Sequence, residues 1–187
     1  MNKKTLFLII GVFFTFLSFA QNKADRLPFY EIEAYPETYS SNLLVARMVD
    51  GLGFRYYWAT EGLRTVDLAY KPSESGRTIQ ETLKHLYGLS KFIRNSVLED
   101  NKDATKADLD FPELRKQTLM NLKIVSDALK TSKETFKFEE TAVPFWNIIN
   151  GPISDALWHC GQVVMLRRAS GNPFNSNVSV FRGKLKS

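Results

Sequence analysis

The sequence predicts an all-α chain folded as a four-helix bundle, on three observations. Four segments carry apolar residues at helical spacing. Start and stop signals bracket most of them. All four fall within about 130 residues, the size of one bundle. A chain of 187 residues is long enough for one domain with a sizeable core and hardly long enough for two.

The chain opens "MNKKTLFLIIGVFFTFLSFAQNK". Lys3 and Lys4 precede an apolar run from Leu6 to Leu17, and Ser18 and Ala20 set small residues at −3 and −1 of a cut before Gln21. This reads as a secretory signal peptide over residues 1–20, its apolar run shorter than the ~20 residues a membrane span needs. The expectation is export to the periplasm or medium, with no stable membrane anchoring after cleavage. Loss of Lys3 and Lys4 lowers the formal charge from +5 to +3. That mild, scattered basicity and the exported location argue against nucleic acid as a partner. Arg167 and Arg168 read as a solvated helix end. The single cysteine, Cys160, cannot form an internal disulfide and reads as buried filler.

Residues 21–40, with two prolines and no sustained period, read as a leader packing over the domain. The bundle is expected over residues 41–175. Its first helix is "SNLLVARMVDGLGFRYYWATEGL", with Leu44, Met48, Leu52, Ala59 and Leu63 as its stripe. Gly51 and Gly53 each cost about 1 kcal/mol relative to alanine there, which a close helix crossing or a ligand would justify. "RTVDLAYKPSESGR" is a long connection, and it leaves open whether the first two helices are immediate neighbours. The second helix spans Thr78 to Leu98, with Thr78 and Glu81 as a capping box and Ile79, Leu83, Leu86, Ile93 and Val97 as its stripe. A charged loop follows. The third helix starts at Asp110 as cap with Pro112 in its first turn, and runs to Lys130 on Leu114, Leu119, Leu122, Val125 and Leu129. After another linker, with Phe145 to Ile149 as a preceding turn, the fourth spans Pro152 to Ser170 and stops at Gly171. Residues 176–187 form a tail, strand-like at Val178 to Phe181.

The fourth helix poses the chemical question. At 100° per residue, Asp155, His159 and Gln162 share a sector about 60° wide on a helix otherwise apolar almost all round, the pattern of a helix buried in a bundle. A buried carboxylate and imidazole cost several kcal/mol unless paired or bound to a cation. A divalent metal would satisfy both. The other histidine, His85, falls at the edge of the second helix's stripe and converges on the pair only if the two helices are adjacent. The plainer readings stay open: Asp155 as a helix-end carboxylate favoured by the macrodipole, His159 paired with Asp155 alone, and His85 with no task.

The segments "ETLKHLYGLS" and "DALWHCGQVVMLRRASGNP" resemble the DinB-like superfamily of metal-binding four-helix bundles, from Met48 to Pro173. In such proteins the late helix usually carries His-x-x-x-His followed by Gly-Gln or a similar pair, and those histidines with one on the second helix hold zinc or nickel. By that resemblance His85 and His159 are metal ligands, and Asp155 stands where the first histidine of the late pair is expected. Two imidazoles and one carboxylate lower the site charge with a dication from +2 to +1 and also match the ferrous facial triad, so zinc, nickel and iron are all compatible.

The function expected is that of a metal-dependent enzyme, a hydrolase using a metal-activated water on a small-molecule substrate. His85, Asp155 and His159 would hold the ion, Gln162 would orient the water or Asp155, and Glu61 would accept a proton. Phe54 and Trp58, one turn apart on the first helix and on the face of Glu61, would line the pocket. Core packing for Trp58 and a solvated helix end for Glu61 are the plainer alternatives. Two other functions remain open. One is a non-enzymatic bundle that binds a ligand or partner with a structural metal or none. The other is a thiol-dependent S-transferase, which export disfavours because low-molecular-weight thiols are chiefly cytosolic. The resemblance also carries the expectation of a homodimer.

Overall fold

The computed structural model describes residues 26–98, 108–132 and 143–186. The expected signal peptide, and most of the charged loop and linker flanking the third predicted helix, lie outside the described residues. The described chain is mostly helical. Its elements are α1 (Ser41–Thr60), the one-turn α2 (Thr65–Leu68), α3 (Ile79–Leu98), α4 (Phe111–Thr131), α5 (Phe145–Ile148), a π-helical turn (Ile149–Ile153), α6 (Ser154–Ala169), and strands β1 (Val178–Ser179) and β2 (Lys184–Leu185). No described helix is long and apolar enough to cross a membrane.

The caps are local and match the sequence. Ser40 accepts from the Leu43 amide at the start of α1. At the start of α3 the Glu81 carboxylate accepts from the Thr78 amide at 2.7 Å, and the Glu81 amide donates to Thr78 Oγ1 at 3.1 Å. Asp110 accepts from the Glu113 amide at the start of α4, with Pro112 in the first turn. Each bond satisfies an amide that the first helical turn would otherwise leave without a partner.

Packing joins α1 to both α4 and α6, and α3 to the same two helices. The predicted stripes of α3 and α4 are buried almost throughout. The stripe expected for α1 needs correction, because Leu44 and Met48 are exposed while Val45, Val49, Phe54 and Tyr56 join Leu52 in the core. Apolar residues surround α1 on several sides, since α4, α6 and the leader all cover it, so periodicity alone could not select the buried face. A similar correction applies to α6: Trp158 is 73 % exposed and Met165 is also exposed, on a helix expected to be buried all round.

The described part of the leader, residues 26–40, meets α1 through one contact the sequence concealed. Phe29, buried and held at φ 70°, lays its ring on Gly53, where an added Cβ would stand 2.6 Å from ring carbons. This close approach explains the glycine. Gly53→Ala is expected to destabilise the fold by about 1–3 kcal/mol through overpacking, read by urea denaturation. Unchanged stability would show that the leader does not rest there. The Glu33 carboxylate also reaches Lys130 on α4 at 2.9 Å, and Lys130 is shared with the buried Asp50 at 2.9 Å. β1 and β2 form a small antiparallel hairpin that includes the strand-like piece read from the sequence. The Gly183 carbonyl of its turn accepts from the Ile32 amide, tying tail to leader.

The reading of Arg167 as solvated is wrong. It is 3 % exposed, and its guanidinium donates to the Trp58 and Ala59 carbonyls in the last turn of α1 and to Asn172. Those carbonyls lack helical partners, so a buried cation at the C-terminal end of α1 completes them. Arg168 is exposed, as expected.

Candidate metal centre

His85 projects from the second turn of α3, and Asp155 and His159 from the start of α6. The approach to α6 is unusual. The π-turn carries Pro152, whose missing N–H is tolerated where the helix widens, and Ser154 Oγ donates to the Ile149 carbonyl at 2.7 Å. Backbone torsions are already helical at Ile153, so α6 continues from the preceding turn rather than starting free. A macrodipole role for Asp155 therefore loses most of its basis, because free amide ends are what generate that field.

The three side chains meet. Asp155 Oδ2 lies 3.1 Å from His85 Nε2, and Asp155 Oδ1 lies 3.3 Å from His159 Nε2. The two imidazoles stand edge to face with centroids 4.6 Å apart. One donor atom from each residue falls within 4.8 Å of the others, so this group could hold a metal ion. Donors bonded at ~2.1 Å around a tetrahedral ion stand ~3.4 Å apart, and the two carboxylate–imidazole separations, 3.1 and 3.3 Å, are close to this.

Gln162 decides which nitrogen of His159 is available. Its side-chain amide lies 2.7 Å from His159 Nδ1, which leaves Nε2 as the nitrogen turned to Asp155. Nε2 faces the Asp155 carboxylate, 3.3 Å from Oδ1, an imidazole nitrogen and a carboxylate oxygen placed so that a divalent cation could share them. The contact that Gln162 makes is with His159.

The centre is half-open. The His159 side chain is 13 % exposed, against 41 % for Asp155 and 37 % for His85. Both imidazoles and Gln162 line a cavity of about 860 Å3, whose walls also include Arg77, Trp158 and Met165. The remaining expected site residues lie elsewhere. Glu61 follows the last residue of α1 and is ion-paired to Arg115, away from the cavity lining. Phe54 is buried in the core, and Trp58 donates its Nε1 hydrogen to the Tyr30 carbonyl at 3.0 Å. Together they line a second cleft of about 400 Å3 on the neighbouring flank of α6. Gly161 and Met165 border both. Cys160 is buried, and burial pushes its thiol up to about 12, so it is no nucleophile.

Arg77, Trp158 and Met165, which also line the cavity, were not among the expected site residues. Arg77 sits in the connection just before the Thr78 cap, and the capping box could have drawn attention to it. Trp158 gave no signal, because on an apolar helix an indole reads as core.

Comparison with known proteins returned no match. Neither a family model, nor a curated protein, nor a solved structure matches the chain.

Proposed function

We propose that the chain is a four-helix bundle of the DinB-like kind whose His85, Asp155 and His159 hold one divalent cation, and that it is a hydrolase of small substrates acting after export. The observation that carries this reading is the convergence of His85, Asp155 and His159, one donor atom of each within 4.8 Å of the others, beside an open cavity. Two nitrogens and one carboxylate suit zinc or nickel, and ferrous iron as well.

When bound, the ion would supply Lewis acidity to an oxygen in the cavity. The protein's part is positional. Gln162 holds the orientation of His159, the tightly packed ligand. Asp155 bridges the two helices by reaching both imidazoles, so the α3–α6 packing sets the width of the site. Hydrolysis would add the OH of water to an acyl carbon and its H to the departing nitrogen or oxygen. Glu61 has no part in this proposal, because Arg115 occupies its carboxylate. A purely structural ion fits less well, since structural sites are closed by protein ligands whereas this one opens onto a cavity.

Elemental analysis of protein purified without an affinity tag tests the reading. About one equivalent of metal is expected in the wild type and none in His159→Ala. A wild type that binds no zinc, nickel or iron on titration would overturn it.

A further inference from the structure

We infer that the substrate is a small organic acid with an apolar body, its carboxylate received by Arg77 in the wall of the cavity that the imidazoles also line; the inference rests on the metal reading above. The charge of the lining is one-sided. Among the described residues that line it, Arg77 is the one full cation, and no aspartate or glutamate is among them. Arg77 is exposed, and its guanidinium makes no hydrogen bond or ion pair among the described residues. Glu81 lies within its field, but that carboxylate is already held by the Thr78 amide at 2.7 Å and by Thr78 Oγ1 at 2.9 Å. A planar guanidinium with free donors in a concave wall matches one carboxylate through paired hydrogen bonds.

The apolar part follows from Trp158 and Met165. Both are exposed on α6, about one and three turns along from Asp155, and both border the cavity. An indole left 73 % exposed beside a polar centre leaves unburied apolar area that a ligand's body would cover. The cavity, about 860 Å3, is large enough for the two ends to be engaged at once by a drug-sized molecule.

The test uses the zinc-loaded full chain and two probes, a phenylacetohydroxamate bearing a para-carboxylate and its para-carboxamide counterpart. The hydroxamate anchors both on the ion, and calorimetry reads their affinities. The carboxylate is expected to bind about tenfold more tightly than the carboxamide. Arg77→Gln, a change in an exposed connection, should abolish that preference while leaving carboxamide affinity unchanged. Trp158→Ala should weaken both probes. Equal affinity of the two probes for the wild type, or a preference that survives Arg77→Gln, overturns the carboxylate assignment and leaves the metal reading standing. Unchanged affinities in Trp158→Ala overturn the apolar body. Failure of both probes to bind overturns the metal reading and this inference with it.

Discussion

Asp155→Ala is expected to lower metal affinity by at least about a hundredfold while barely changing the stability of the metal-free protein. The reason is its position between two rings: Oδ2 lies against His85 and Oδ1 against His159, so its loss removes one proposed ligand and the contact that joins the two imidazoles. Disturbing only the groups that support a ligand already costs roughly 10–100-fold, and removal of a ligand should exceed this. Metal-free stability should fall by less than about 1 kcal/mol, because both pairs are partly open to solvent and such pairs contribute little. The two quantities separate by calorimetry with zinc and urea denaturation in chelator. In the wild type, free zinc at a hundred times its dissociation constant should add about 2.7 kcal/mol to stability, and the variant should show no such gain at that concentration. A variant that binds zinc as the wild type does would return Asp155 to a structural role.

Asp67→Ala should produce the largest loss of stability of any single change considered, roughly 3 kcal/mol or more. Asp67 is fully buried on α2. Its carboxylate accepts from the Arg64 amide and guanidinium, from Ser170 Oγ at 2.6 Å and from Asn172 Nδ2 at 2.7 Å. Asn172 in turn accepts from Arg167, which closes the end of α1. Alanine would leave several of these donors without partners and loosen the junction of α1, α2 and α6. The effect should also depend on pH. Hydrogen bonds from Arg64, opposed by burial and aided by Ser170 and Asn172, hold the Asp67 carboxyl far below the ordinary carboxylate range. The folded state therefore binds the proton more weakly than the unfolded chain. The contribution is fully present above the ordinary range near pH 4 and is lost progressively as pH falls below it. Urea denaturation at pH 7, 5 and 3 should show a difference between wild type and variant that is constant at the first two values and smaller at the third. A difference that grows on acidification would contradict this assignment.

Much of the helical organisation was legible because its determinants are local. The Thr78–Glu81 box, the Asp110 cap with Pro112, and the stop at Gly171, which takes φ 82°, each involve residues within a turn of one another. The stripes of α3 and α4 were readable because those helices are polar on one side. The candidate centre was half legible. Asp155, His159 and Gln162 share a sector of one helix, and the wheel shows this without any tertiary knowledge. Whether His85 joins them was undetermined, since spacing within α3 says nothing about which helix faces it.

Sequence by itself determined the helical segments, their caps and the polar line on α6, because backbone hydrogen bonding and side-chain periodicity act over a few residues. Tertiary structure alone decided that α3 lies against α6, that Arg115 takes Glu61, and that Arg167 and Asp67 are buried. These depend on contacts between residues up to about a hundred positions apart, where burial and charge are set by partners that no local pattern names.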